Sequence, residues 1–341
     1  MYQSKNFRQI DEETFKLNIP NDRPFKILQL TDMHLGFGMF SRKKDMLVWN
    51  AVEKIIKKSA PDLIVITGDT VFPFFPKSGT MNNRMQAKRF TETMDRFKIP
   101  YAMVMGNHDA EMGSSCKKEE LMKLYSQGRY SICTGGKKEL FGTGNYFIEL
   151  VQGADESEKT VLTLCMLDSN MYGDGWFFSG FDRIHEDQTQ WCMDKLNGLK
   201  SENEKLEALA FFHMPPAEFK EAYEKMKHGD ESITYHFGSV AETDDYFGIS
   251  SKKGSFFDKA VQNGMIKGIF CGHDHLNTIS LTYKGIRMTY GMSIDYLGYK
   301  GIHKKYTQRG GTLITRHTDG KIGVKPVPLS RVVSKRIRGA R

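Results

Sequence analysis

Apolar runs that stop abruptly at short polar clusters dominate the first third of the chain. Phe25 to Gly38, FKILQLTDMHLGFG, is largely apolar until it reaches Asp32, Met33 and His34 and then glycine. A run without strict alternation predicts a strand buried on both faces, as in a sheet covered by helices. Arg42 to Ser59 places Met46, Trp49, Val52, Ile55 and Ile56 three to four residues apart among Lys and Glu, the pattern of an amphipathic helix that Pro61 then stops. The next apolar run, Asp62 to Thr67, enters Gly68-Asp69-Thr70. A helix over Asn82 to Phe97 follows, and after Pro100 the third run, Tyr101 to Met105, ends at Gly106-Asn107-His108-Asp109. Three strand-helix units in succession predict a parallel sheet with right-handed crossovers. All three polar clusters then share the C-terminal edge of that sheet, where ligands bind in open α/β folds.

The middle of the chain changes pattern. Asn145 to Val151 and Thr160 to Asp168 read as a hairpin joined by the polar Gln152 to Lys159. Gly173 to Gly180 is a glycine-rich, aromatic loop of the kind that forms either a substrate rim or ordinary packing. Ile184 to Leu199 is helical, and Leu206 to Phe212 is a short strand that delivers His213. A helix at Glu218 to Lys227 precedes His228 to Lys253, a polar segment without periodicity that is expected to be an insertion or lid over the sheet edge. Lys267 to Gly272 is another apolar strand, and it ends in His273-Asp274-His275. Asn277 to Tyr290 and Gly311 to Lys325 read as antiparallel strands with turns at Lys284-Gly285 and Asp319-Gly320. No repeat, low-complexity tract or linker divides the 341 residues, so one domain spanning 1–341 is the simplest organisation.

Composition narrows the setting. No apolar run approaches the length of a membrane span and the first fifteen residues lack a secretory apolar core, so a cytoplasmic location without membrane partners is expected. Five scattered cysteines without a CxxC pair indicate neither disulfides nor a thiolate metal site. The net charge of +8 invites a nucleic-acid partner, but seven positive charges and no acidic residue follow Asp319. The body is therefore nearly neutral, and the basic tail, residues 326–341, is expected to be a solvated terminus that steers anions at most.

The chemistry lies in the polar clusters. A divalent Mn, Fe or Zn ion accepts carboxylate, imidazole and amide oxygen, and two such ions about 3.5–4 Å apart need a carboxylate that touches both. Each cluster alone is a common turn or a lone histidine; their succession, each at the end of an apolar strand, is specific. Asp32-Met33-His34, Gly68-Asp69, Gly106-Asn107-His108-Asp109, His213 and Gly272-His273-Asp274-His275 together resemble the signature of the calcineurin-like metallophosphoesterases. FKILQLTDMHLGFG, DLIVITGDTVF and Gly144-Asn145-Tyr146 further resemble the purple-acid-phosphatase-like, Dcr2-type branch.

That resemblance implies a layered α/β/β/α sandwich of two mixed sheets with a dinuclear metal centre at the C-terminal strand edge. It implies one metal on Asp32, His34 and His275, a second on Asn107, His213 and His273, and Asp69 bridging them. It further implies a phosphoester hydrolase, most simply a phosphomonoesterase, in which a metal-bridging hydroxide attacks phosphorus in line. His108 would stabilise the leaving oxygen and Asp109 would orient His108, while Asp274 has no evident role. The substrate would be a phosphorylated small molecule or phosphoprotein. A phosphodiesterase or nuclease is the alternative, since Asp32 to Gly36 also resembles the opening of DNA-repair nucleases, although a near-neutral body offers little for a long polyanion. A noncatalytic scaffold would be expected to have lost ligands, and every ligand position is filled. One departure stands out: the tyrosine that ligates ferric iron in true purple acid phosphatases is here Phe72, so no tyrosinate-to-iron colour is expected.

Overall fold

The computed structural model describes residues 6–153, 157–173 and 180–332. Among the described residues, two sheets carry the fold. The smaller has Phe25–Leu30, Leu63–Thr67 and Tyr101–Val104 as parallel neighbours, extended past Phe25–Leu30 by the antiparallel strands Gly310–Arg316 and Ile322–Pro328. The parallel sheet read from the sequence is thus the centre of a mixed sheet. Helices Arg42–Ser59 and Asn83–Asp95 are its crossovers. The first ends where Ala60 turns left-handed before Pro61, and the second begins where the Asn82 side chain accepts from Met85 N at 2.9 Å.

The larger sheet runs Phe7–Gln9, Thr14–Asn18, Tyr146–Gln152, Lys159–Met166, Ala208–Phe211, Ile266–Cys271, Ile286–Tyr290, Ser280–Tyr283 and Thr234–Phe237. The expected hairpin pairs antiparallel from Tyr146 opposite Met166 to Gln152 opposite Lys159. Alternation decides its two faces. Leu209, Phe211 and Phe270 turn toward the smaller sheet and join Ile27, Leu28 and Leu313 in one core; Ala208, Ala210, Ile269 and Cys271 turn outward against Cys192, Leu196 and Phe257 of the covering helices. The result is the α/β/β/α layering that the family resemblance implies.

Three features depart from the sequence reading. Phe7–Gln9 and Thr14–Asn18 form an edge hairpin whose short, charge-broken stretches carry no strand signal in the sequence. Residues 228–253, expected as an insertion or lid, contribute the edge strand Thr234–Phe237, which pairs with Ser280–Tyr283, so part of the segment belongs to the sheet. The basic tail is also partly strand, through Ile322–Pro328, while its residues 333–341 lie outside the described residues, as do residues 174–179 of the aromatic loop. Among the described residues no helix is long and apolar enough to cross a membrane.

A buried glutamine joins the sheets beneath the polar edge. Gln29 Nε2 donates to Thr67 Oγ1 at 2.9 Å and across the sandwich to the Cys271 carbonyl at 3.0 Å, one residue before Gly272-His273. Replacing Gln29 with Leu leaves Thr67 Oγ1 buried and unpaired and the Cys271 carbonyl with the Gly291 N–H alone, at a cost of about 1–3 kcal/mol. Urea denaturation of the Gln29→Leu protein should show a midpoint lowered accordingly; an unchanged midpoint would mean that the bond does not help to hold the sheets together.

Candidate metal centre

The strand ends converge as their register dictates. Asp32 and His34 follow the first parallel strand, Asp69 the second, Asn107 the third, and His213 and His273 follow Ala208–Phe211 and Ile266–Cys271 of the other sheet. Backbone bonds lace the loops together: Asp32 N to Gly68 O at 3.1 Å, His34 N to Asp69 O at 2.9 Å, and Gly272 N to His213 O at 2.9 Å. Asp32, His34, Asp69 and His273 all adopt positive φ, between 45° and 77°. Such backbone is strained for these residues, and the surrounding bonds hold it in place.

Two groups of donors share Asp69. Its carboxylate, His34 and His275 offer atoms all within 4.8 Å of one another, and so do Asp69, His213 and His273. Asp69 Oδ2 lies 3.3 Å from His34 Nε2 and 3.2 Å from His213 Nε2. Yet Asp69 Oδ2 and both ring nitrogens of His34 are buried without a hydrogen-bond partner. Orphaned buried donor atoms facing a common point fit metal ions and fit little else. Asn107 Oδ1 lies 3.2 Å from His213 Nε2 and completes the second group with an amide oxygen. Asp32 sits beside the first, with Oδ1 3.5 Å from His275 Nε2, although its carboxylate also accepts from His273 N and Thr31 Oγ1. The donors are imidazole, carboxylate and amide, a set suited to Mn, Fe or Zn. All five cysteines are buried and unpaired.

Neighbours fix the imidazoles. His213 Nδ1 donates to the Thr67 carbonyl at 2.8 Å, which turns Nε2 toward Asp69. His275 Nδ1 meets Asp295 Oδ2 at 3.1 Å, and Tyr299 stacks on the same ring at 4.2 Å. Asp295 also accepts from the N–H groups of Leu297, Gly298 and Tyr299. Burial alone would raise its pKa, but the His275 hydrogen bond and the His34 charge bring it far below the usual carboxylate range. The sequence reading missed Asp295, although Tyr290-Gly291 followed by Ser293 and Asp295 repeats the motif of a strand, a glycine and then polar residues.

The structure reassigns Asp109. Its Oδ1 accepts from Thr70 N and Val71 N, both at 2.9 Å, and its Oδ2 from Gly106 N at 2.8 Å, so it braces the loops around Asp69 and does not orient His108. The partner of His108 is Glu111: His108 Nδ1 and Glu111 Oε1 are 2.5 Å apart. Glu111 lies three residues on in the same loop, a spacing visible in the sequence but overshadowed by the adjacent acid. Phe72 stands edge-on to His34 at 4.9 Å and to His108 at 5.0 Å, a hydrocarbon wall without a ligand atom beside the two donor groups. Asp274 turns away from the donors, accepting from Tyr290 Oη at 2.6 Å and from Gly248 N at 3.0 Å. It therefore ties the end of the 228–253 segment to the site.

A family model described as calcineurin-like phosphoesterase matches residues 25–277. The chain is 28% identical over 310 residues to an Arabidopsis thaliana protein named "Probable inactive purple acid phosphatase 29", covering 83% of this chain and 75% of that one. It is also 28% identical to "Phosphatase DCR2" of Saccharomyces cerevisiae, over 82% of this chain and 49% of the yeast protein. Among solved structures, a dimetal phosphatase from Danio rerio aligns with a TM-score of 0.49 and 10% identity, over 89% of this chain and 98% of that one.

Metal uptake by these donors should be coupled to proton release. Burial would lower the pKa of His213 and of His275, but Asp69 raises the first and Asp295 the second, each to about 9. Both rings therefore hold two protons at pH 7.5, and a metal ligand needs a free nitrogen lone pair. Calorimetric titration of the metal-free protein with Mn or Zn at pH 7.5, in buffers of different ionisation enthalpy, should report about two protons released per protein. Apparent affinity should rise as pH approaches 9. Binding without proton release would exclude these two imidazoles as ligands.

Proposed function

Because the chain belongs to the calcineurin-like phosphoesterase family, we propose that it is a dinuclear-metal phosphomonoesterase. The observation that carries this reading is the Asp69 carboxylate, buried between two donor groups, with Oδ2 facing His34 Nε2 at 3.3 Å and His213 Nε2 at 3.2 Å. Asp32, His34 and His275 would hold one ion and Asn107, His213 and His273 the other, with Asp69 between them. When bound, two such cations supply Lewis acidity toward phosphoryl oxygens and lower the pKa of water enough to provide a hydroxide for in-line attack near neutrality. Asp69 offsets the repulsion between them.

The protein's own part centres on His108. Its backbone N–H donates to Asp69 Oδ1 at 2.8 Å, while its ring stands partly exposed at the mouth of the site. Burial would lower its pKa; Asp69 and Glu111 more than compensate and raise it. The shift favours the protonated imidazole, the form that would donate to the leaving oxygen as the P–O bond breaks. Phe72 shields one face of this ring and of His34 from water.

The names of the Arabidopsis relatives raise a second reading, a phosphate-binding protein without turnover. A complete donor set favours catalysis. Assays of p-nitrophenyl phosphate against bis-p-nitrophenyl phosphate, with Mn, Fe and Zn added back singly and in pairs, separate monoesterase, diesterase and inert protein. Faster release from the monoester supports the proposal, and a diester preference or no release overturns it.

Asp69→Asn should lower the affinity of both metal positions together, read by equilibrium dialysis and elemental analysis; two tightly held metals with full activity would show that Asp69 is not the bridge. His108→Asn should keep both metals. It should lose alkyl phosphatase activity by about 10²–10⁴-fold, and p-nitrophenyl phosphatase activity by distinctly less, because p-nitrophenolate leaves without a proton. Equal losses would assign His108 to charge stabilisation of the phosphoryl group. Loss of a metal would make it a ligand.

A further inference from the structure

At the end of the sandwich opposite the metal centre lies a cavity of about 640 Å³, within the range that holds a small molecule. The metal-facing histidines follow the C-terminal ends of Ala208–Phe211 and Ile266–Cys271, whereas the cavity residues Glu207 and Lys267 lie where those strands begin. From the smaller sheet comes Arg316, which pairs with Phe25 at the start of the first parallel strand. The floor is apolar and includes Leu209, Phe270 and Val324. Leu209 and Phe270 crowd over Gly268, where a Cβ would lie 3.0 Å from each of them.

The lining carries five cations, Lys205, Lys267, Arg287, Arg316 and Lys321, and two carboxylates, Glu207 and Asp319. Asp319 pairs with Lys321 at 3.0 Å, and Glu207 acts on Arg316. With both carboxylates set against a cation, Lys205, Lys267 and Arg287 are left, and none of the three makes an ion pair among the described residues. Arg287 is half-buried: its Nε donates to Ser280 Oγ at 2.9 Å, and its Nη2 reaches across the sandwich to the Val324 carbonyl at 3.5 Å. Burial lowers the pKa of this guanidinium, and no carboxylate restores it. A charge drawn out of water without a counter-charge is costly, and an anion arriving from outside would remove that cost. Lys267 is placed by a β-bulge. Ile266 pairs with Ala208 and Gly268 with Leu209, so Lys267 is the extra residue. Ile266 packs outward under the helices and Phe270 inward, and the bulge between them brings the lysine to the cavity.

We propose that this cavity binds a small organic anion, two or more negative charges on an apolar body, at a site separate from the metal centre. The charges would meet Lys205, Lys267 and Arg287, and the body would lie on Leu209, Phe270 and Val324. Carboxylate, sulfonate and phosphate groups share this chemistry. Both lysines are exposed, so their contribution is moderate and screened by salt.

The test titrates metal-loaded protein by calorimetry with naphthalene-1,5-disulfonate, naphthalene-1,5-dicarboxylate, naphthalene-1,5-diol and sodium sulfate. None is a phosphoester, so turnover at the metal centre does not interfere. At low ionic strength the two aromatic dianions should bind at one site, at least about tenfold more tightly than the diol or sulfate, and more weakly in 0.5 M salt. Lys205→Gln/Lys267→Gln should lose about tenfold in affinity for both dianions, and Lys267→Glu more than Lys267→Gln. Because both side chains are exposed, these variants alter binding without disturbing the core. Asp69→Asn, at the opposite end of the sandwich, should bind the dianions as the wild type does. Binding of only one dianion supports the site and identifies the anionic group it prefers. Absence of dianion binding, sulfate bound as tightly as the dianions, or an affinity unchanged by the lysine substitutions overturns the proposal. Loss of binding in Asp69→Asn would place the anion at the metal centre and overturn it as well.

Discussion

A buried carboxylate holds this site together. Asp69 is buried at the point where two sheets meet, and the desolvation of its charge must be offset by cations. Burial would raise its pKa, but His213 and His108 override that and keep it well below the usual carboxylate range. The protein also prevents the carboxylate from relaxing away. Asp109 clamps Thr70 and Val71 on one side and Gly106 on the other, fixing both loops that frame Asp69. A Cβ on Gly106 would lie 2.1 Å from Asp69 Oδ1, so the third strand's loop can approach only as glycine. Asp109 itself is pushed up to about 6, first by burial and then by Asp69. The two acids thus divide the work, one charged toward the metals and one bracing the backbone that aims it.

That division explains what the sequence disclosed. The parallel strands and the polar clusters at their ends were legible because both depend on local pattern: an unbroken apolar run must be buried, and the residues after it must emerge at one edge. Asp32, His34, Asp69, Asn107, His213, His273 and His275 are brought to one place by strand register alone. Partners were harder to read, because a hydrogen bond is a matter of direction. Asp109 adjoins His108 in sequence, yet its side chain points into the loop stack, whereas Glu111 curls back to the ring. Asp295 reaches His275 from beyond two further strands, a contact that depends on how Ile286–Tyr290 inserts between its neighbours. The N-terminal hairpin and the strand at Thr234–Phe237 escaped notice because edge pairing tolerates short polar stretches that carry no apolar signal.

The same distinction separates chemistry from substrate choice. The metal-facing side chains sit at the ends of strands whose cores are fixed by packing in both layers, and Gln29 ties those layers together directly below them. The cavity walled by Tyr172 is built differently, mostly from connections near residues 135–143, 170–173 and 182–185, with Lys118 and Glu119 from the start of the helix Lys118–Tyr125. Connections place charge through long-range contacts such as Lys118 on Asp168 and Lys137 on Glu13, and no periodicity announces such pairs. A reading of the sequence therefore reaches the reaction before it reaches the substrate. On the proposed function, the strand edge would constrain what happens at phosphorus, and the loops which molecule brings the phosphorus there. Tyr172 belongs to both, since it lies in the cavity wall, accepts from Asn107 and stacks on Phe181, whose edge meets His273.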